Sequence, residues 1–177
     1  KERTVDKTYH ALVQGLMDPP RGTIDAPIDR HPKHEYRWAV VTDGSFAYVA
    51  ADSAGVFVVD VSDPETPAIA GHVGVFANDV DLEGDYLCTV ALSGDLHVID
   101  VQDPRHPALV GSCALPRSSS SISVCGRYGC VTTGTALCVI DLISPRSPML
   151  RGVFEPLEYI HQVSFDGTHA YASLGNN

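Results

Sequence analysis

Short runs of alternating apolar and polar residues recur along most of the chain, and each run precedes a glycine. Alternation with a period of two predicts a β-strand, because successive side chains of a strand point to opposite faces. The glycines are Gly44, Gly84, Gly126 and Gly167, so neighbouring copies lie 40, 42 and 41 residues apart. Each glycine supplies the positive φ of a tight turn, and a second short strand is predicted directly after it.

A third apolar run follows in each copy, at 56–61, 96–101 and 137–142. Its apolar residues stand on consecutive positions, which predicts a strand buried on both faces. Each run contains one aspartate, and a proline stands four residues after it. The carboxylate is expected to accept hydrogen bonds from nearby backbone N–H groups and so to fix a structural turn. These aspartates are Asp60, Asp100 and Asp141.

A fourth, weaker strand is predicted after the two prolines of each copy, so one copy comprises four turn-linked strands within about 40 residues. One such sheet cannot bury both of its faces, and copies must therefore stack face to face. We expect an all-β fold, a β-propeller built of four-stranded antiparallel blades. A linear β-solenoid is the rival, but its coils are usually shorter than this period. The predicted divisions are an irregular N-terminal extension at 1–37 and blades at 38–76, 77–118, 119–158 and, in part, 159–177.

The repeated segment resembles a known repeat family. It reads VVDVSDPETPAIAG at 58–71, VIDVQDPRHPALVG at 98–111 and VIDLISPRSPMLRG at 139–152. These columns are similar to the LVIVD repeat of bacterial and archaeal proteins, over about 38–177, and the run at 43–50 is similar to the related YVTN repeat. The resemblance implies a propeller, a binding role and a surface-exposed or secreted location. It implies no catalytic residue, because the family has no agreed set.

The number of blades leaves three explanations open. The pattern offers about three and a half blades, whereas propellers have 4–8. The chain is expected to be part of a longer polypeptide and a larger propeller; alternatively 1–37 completes the fourth blade, or the open sheet docks onto another chain. We interpret 1–37 as an extension that wraps the propeller or reaches a neighbour, with a partly disordered tail as the alternative.

The charge is uneven along the chain. Residues 38–177 contain five arginines and sixteen acidic residues, a net charge of −11, whereas 1–37 carry +1. An acidic surface repels phosphate groups, so we expect no nucleic-acid partner. No apolar run reaches the ~18 residues of a transmembrane helix. A protein partner or a neighbouring subunit, and an extracellular or cell-surface location, are expected.

Five cysteines are present, an odd number. Cys125 and Cys130 flank four residues that include the predicted turn, so they are expected to face each other across a hairpin. A disulfide between them is one interpretation. Two small buried thiols are the other.

The polar residues before each predicted first strand are the best candidates for a ligand or metal site. First strands line the central channel of a propeller, so Asn78, Asp79 and His161 are expected to converge near its mouth. The acidic stretch 78–85 suggests calcium or another divalent ion, although the ligand spacing of a calcium loop is missing. The alternatives are a hydrated channel mouth and a solvated start of a strand.

The sequence therefore predicts a non-catalytic protein-interaction or scaffold propeller, a subunit of an extracellular or multi-protein assembly without a required cofactor. The alternative is an enzyme that uses the channel mouth, such as a metal-dependent hydrolase or lactonase. A metal bound through Asp79 and His161 would distinguish the two.

Overall fold

The computed structural model describes residues 40–155 and 158–175, and these residues form strands and turns without a helix. The predicted extension at 1–37, together with Trp38 and Ala39, lies outside them. The fourteen strands are β1 (Val40–Asp43), β2 (Phe46–Ala50), β3 (Val56–Asp60), β4 (Ala68–Val73), β5 (Asp79–Glu83), β6 (Tyr86–Val90), β7 (Asp95–Asp100), β8 (Ala108–Ala114), β9 (Ser121–Cys125), β10 (Tyr128–Thr132), β11 (Leu137–Asp141), β12 (Met149–Phe154), β13 (Tyr159–Phe165) and β14 (Ala170–Gly175).

The strands form three antiparallel four-stranded sheets and one hairpin, each in simple chain order: β1 to β4, β5 to β8, β9 to β12, and β13 with β14. Two-residue turns join the first two strands of each complete sheet. Their glycines have positive φ, at 55° for Gly44, 57° for Gly84 and 59° for Gly126. An L-residue with a side chain is strained in that region, which explains why glycine recurs there. The predicted propeller blades are confirmed, with about three and a half of them in the described part.

Neighbouring blades stack through the faces of their third strands. In blade one, Val56 and Val58 of β3 are buried against blade two, whose Ile99 joins the same apolar cluster. In blade two, Leu96 and Val98 of β7 lie on the opposite face of the sheet from Ile99. They pack in a second cluster with residues of blade three. The third strand is thus buried on both faces in blade two, which has a neighbour on either side. Each fully buried Val or Leu side chain contributes about 1.5–3 kcal/mol to this stacking.

A second contact between blades explains the repeated prolines and the glycine after them. The segments 63–67, 103–107 and 144–148, which we call proline turns, follow the third strand of each blade. A Cβ atom added to Gly71 of blade one would lie 2.5 Å from the carbonyl oxygen of Pro104 and 2.8 Å from the ring of Pro107. The glycine of one blade therefore lies directly beneath the proline turn of the next.

Strands β13 and β14 form a hairpin, and its strand β13 packs against β9 and β10, the first two strands of blade three. The amide of Ile160 donates a hydrogen bond of 2.7 Å to the carbonyl oxygen of Gly134, and Ile160 is buried. The amide of Phe165 donates to the hydroxyl of Ser123 at 3.1 Å. This hairpin covers the inner part of blade three.

Candidate functional site

Two of the residues predicted to line a channel mouth, Asn78 and Asp79, accept hydrogen bonds from backbone amides. Asn78 precedes β5, and its side-chain oxygen accepts a hydrogen bond of 2.7 Å from the amide of Leu92. Its own amide donates to the carbonyl oxygen of Val90 at 2.8 Å. Asn78 therefore ties the start of β5 to the loop that follows β6, a bond that fixes this loop.

Asp79 connects two blades. Its carboxylate accepts a hydrogen bond of 2.9 Å from the amide of Ile122, on the first strand of blade three. It accepts a second, of 3.1 Å, from the amide of Val80. Asp81 repeats the arrangement two residues later and accepts the amide of Val124 at 2.7 Å. The carboxylates of β5 thus take the place that carbonyl oxygens of a neighbouring strand have in a sheet, and they join β5 to β9.

Burial raises the pKa of both carboxyl groups. The hydrogen bonds from β9 lower the pKa of Asp79 and Asp81, because a hydrogen bond from an N–H group stabilises the charged carboxylate. Asp79 and Asp81 are half-buried, and both bond to blade three. Their function in the described structure is to hold two blades together.

His161 lies on β13, where its ring stacks against Tyr159 with centroids 4.9 Å apart. Among the hydrogen bonds of the described residues, none joins His161 to Asn78 or Asp79. Within 40–155 and 158–175, no cluster of three His, Cys, Asp or Glu side chains has the geometry to hold a metal ion. The divalent-ion site at these residues stays a prediction.

The three repeated aspartates stand at the ends of β3, β7 and β11, where each carboxylate accepts the amide two residues further on. The distances are 3.0 Å from Ser62 to Asp60, 3.1 Å from Gln102 to Asp100 and 3.1 Å from Ile143 to Asp141. This bond starts the proline turn, because it aligns the chain before the first proline. The repeated aspartate is therefore placed as a structural element.

Asp141 differs from the other two in its partners. Its side chain is buried, Arg127 donates to it at 2.7 and 3.0 Å, and Arg151 donates at 2.9 and 3.1 Å. The hydrogen bond from Arg127, followed by that from Ile143, holds the pKa of Asp141 well below its usual range. Sequence reasoning missed this cluster, because neither arginine has a counterpart in the other repeats.

The disulfide considered for Cys125 and Cys130 is not formed, and both are free thiols. The hairpin register pairs Cys125 with Tyr128 and Cys130 with Ser123, so the two cysteines stand diagonally and not face to face. Diagonal neighbours are about 7–8 Å apart, beyond the usual span of a disulfide. Burial raises the pKa of Cys88 to about 12 and also raises that of Cys130. Neither of these two thiols is primed as a nucleophile.

The LVIVD repeat matches residues 36–75, 76–114 and 116–155, about two thirds of the chain. The chain belongs to the LVIVD repeat family. Each match contains one complete blade of the structure. Within the described segments, no helix has the length and apolar character needed to span a bilayer.

Solved structures share the fold of these LVIVD repeats at low sequence identity. The computationally designed Ika4 protein has a TM-score of 0.63 at 10% identity, covering 81% of this chain and 88% of its own. Ika8, also computationally designed, has a TM-score of 0.62 at 8% identity, covering 80% and 44%. A chain of a Saccharomyces cerevisiae complex of Dbp5, Nup159 and Gle1 has a TM-score of 0.52 at 12% identity, covering 78% and 38%. These likenesses concern the fold alone.

Curated relatives match a shorter part of the sequence. Uncharacterised RNA pseudouridine synthases of Mycobacterium bovis and Mycobacterium tuberculosis are 53% identical over 58 residues, which is 33% of this chain and 19% of theirs. The ribosomal large subunit pseudouridine synthase D of Nitrosomonas europaea is 50% identical over 44 residues, or 25% and 12%. The chain spans less than a fifth of the length of each of these relatives.

The LVIVD repeats leave one apolar column uncovered. In each fourth strand, the residue two positions before the repeated glycine is a large aliphatic side chain that faces solvent. Ile69 is 69% exposed, Leu109 47% and Leu150 37%. Their recurrence at one position places an exposed aliphatic side chain on the fourth strand of each complete blade. We call these three residues the rim row.

Proposed function

We propose that this LVIVD propeller is a non-catalytic protein-interaction module whose rim row contacts a partner protein. The observation that carries the proposal is the exposure of a large aliphatic residue at the same position of each complete blade, at Ile69, Leu109 and Leu150. Stacking of blades does not need these side chains. Exposed apolar side chains that recur on one side of a molecule are typical of a protein-binding surface.

The net charge of the repeats favours a partner with basic groups. Residues 38–177 carry a net charge of −11, so a cationic protein surface is attracted and nucleic acid is repelled. The attraction between the acidic repeats and such a partner would be screened at high salt, whereas the aliphatic contacts would not. Binding is therefore expected to be weakened, and not abolished, by added salt.

The test is a pair of variants on the full-length gene product. Ile69→Ser with Leu109→Ser removes two members of the rim row without touching a blade interface. Thr66→Ala, on the exposed proline turn of blade one, is the matched control. Crosslinking with mass spectrometry in the native host should identify a partner whose crosslinks fall near the rim row, with at least about tenfold weaker binding to the double variant. Equal binding by the double variant and the control would refute the proposal.

A second candidate function follows from the pseudouridine synthase likeness. The relatives are named as acting on RNA, and 58 residues of this chain are 53% identical to two of them. We infer that the full-length product could belong to an RNA-modifying protein, in which the acidic blades bind protein and another part binds RNA. Incubation of the full-length product with ribosomal RNA, followed by mass spectrometric detection of pseudouridine, tests this function. Absence of pseudouridine above the level of a heat-inactivated control would exclude it.

A further inference from the structure

Three cysteines lie at the interface between blades two and three. Cys88 of blade two and Cys138 of blade three belong to the apolar cluster that joins these blades. Cys113 of β8 pairs directly with Leu96 of β7, another member of that cluster. Directly paired residues of neighbouring strands place their side chains on the same face of the sheet, so Cys113 faces blade three. Cys113 and Cys138 therefore approach one interface from opposite sides.

Two contacts between the blades fix the position of Cys113 along that interface. On one side of it in β8, Gly111 lies beneath the proline turn of blade three, where an added Cβ would overlap the carbonyl oxygen of Pro145. On the other side, the guanidinium of Arg117 donates a hydrogen bond of 3.1 Å to the hydroxyl of Thr135, also in blade three. Cys138 stands between Thr135 and Pro145 in sequence, so both cysteines lie in the part of the interface that these two contacts enclose.

The two thiols differ in their access to solvent. Cys138 is fully buried, whereas Cys113 is half-buried, and both are free thiols in this structure. Burial raises the pKa of Cys138, and the charge of Cys113 adds to this effect, so the two sulfurs lie within range of each other's charge. Stacking does not need the pair, because blades one and two stack with Val73 and His97 at the same two positions.

We propose that Cys113 and Cys138 form an oxidisable pair, which a low-molecular-weight disulfide such as oxidised glutathione converts into a covalent link between blades two and three. The half-buried Cys113 reacts first: its thiolate attacks one sulfur of oxidised glutathione, and one glutathione leaves. The thiolate of Cys138 then attacks the sulfur of Cys113 and releases the second glutathione. Two protein thiols lose two electrons, one oxidised glutathione becomes two reduced molecules, and the two thiol protons pass to them.

This inference goes beyond the proposed function, since neither cysteine belongs to the rim row. The intact chain is incubated with oxidised glutathione under native conditions, its remaining thiols are alkylated, and it is digested with trypsin without reduction. Cleavage after Arg117 and Arg127 separates the peptides of Cys113 and Cys138, so a link between them appears as one joined mass whose fragment ions locate both sulfurs. We expect this link, together with a melting temperature that rises by about 5–10 °C and returns on reduction.

Two serine variants separate the pair from the other cysteines. Cys113→Ser should lose both the link and the rise in melting temperature. Cys125→Ser removes another half-buried thiol, at the end of β9, and should keep both. A glutathione adduct on Cys113 that does not proceed to the link would overturn the proposal. So would a link between Cys88 and Cys138, or a link to Cys138 that forms only after urea has unfolded the chain.

Discussion

Replacement of Gly111 by alanine tests the contact that locks one blade to the next, and Gly152→Ala is its matched control. Both glycines occupy the same position of a fourth strand, and neither has positive φ. Alanine is therefore conformationally acceptable at both, and it should stabilise each strand by about 0.5–1 kcal/mol through the unfolded chain. The two substitutions differ in what the new methyl group meets.

At Gly152 the methyl group meets no atom within 4 Å, whereas at Gly111 it meets backbone. Its nearest neighbours are the carbonyl oxygen of Pro145, in direct overlap, and the carbonyl carbon of Arg146 at 3.1 Å. Backbone atoms cannot rotate out of the way, so the proline turn must move and loosen the interface between blades two and three. Overpacking of this kind costs about 1–3 kcal/mol. The stabilising effect on the strand is common to both variants and cancels in the comparison, so Gly111→Ala should be less stable than Gly152→Ala by about 1–3 kcal/mol.

Urea unfolding followed by circular dichroism measures this difference, provided that the two variants share one slope with denaturant. Gly71→Ala repeats the test at the first interface, where the added Cβ would lie 2.5 Å from the carbonyl oxygen of Pro104. Equal stability of Gly111→Ala and Gly152→Ala would refute the reasoning, since it would mean that the proline turn yields without cost.

Three further predictions concern the carboxylates that join or brace the blades. Asp81→Val leaves the amide of Val124 without its acceptor and should destabilise the fold by about 1–3 kcal/mol, whereas Asp81→Asn keeps an acceptor and should cost much less in the same urea assay. Because the pKa of Asp79 is raised in the folded chain, its protonated form stabilises the fold. This stabilisation is fully present below about pH 4, the pKa of an unperturbed aspartate, and it is lost as the pH rises through the raised pKa. Melting temperatures of Asp79→Asn should accordingly fall less between pH 4 and pH 7 than those of the unaltered chain. The lowered pKa of Asp141 has the opposite sign: its stabilising effect is present above about pH 4 and lost in stronger acid, so Arg127→Gln should lower the melting temperature at pH 7 and have a smaller effect at pH 2.

The fold could be predicted from the sequence because its signals are local and repeated. Glycines at constant intervals, alternation before them and consecutive apolar residues after them fix strands and turns without knowledge of any neighbour. The burial of the third strand on both faces depends on position in the stack. It holds for β7, which has a blade on either side, while Leu137 and Val139 of β11 remain half-exposed. A pattern within one repeat cannot indicate how many neighbours that repeat has.

The candidate site was harder to predict, because its side chains act between blades. Asp79 and Asp81 were expected at a hydrated edge, and the structure turns them onto the amides of β9, a strand some 43 residues away in sequence. The misplacement of Cys125 and Cys130 has a smaller cause. Two turn residues, not four, separate the paired ends of β9 and β10, so the expected partners are displaced by one diagonal step. Contact between repeats and hairpin register both need coordinates.

The blades divide their conspicuous residues between two purposes. Residues that a neighbouring blade covers serve stacking: Gly71 and Gly111, the proline turns that cover them, and the apolar residues of the third strand. Residues that recur and stay exposed, the rim row, have no stacking partner to account for them. Recurrence alone cannot separate these groups, because both follow the same period of about 40 residues. Burial separates them at the two interfaces where a proline turn covers a glycine. The proposed interaction function therefore rests on the exposed residues Ile69, Leu109 and Leu150.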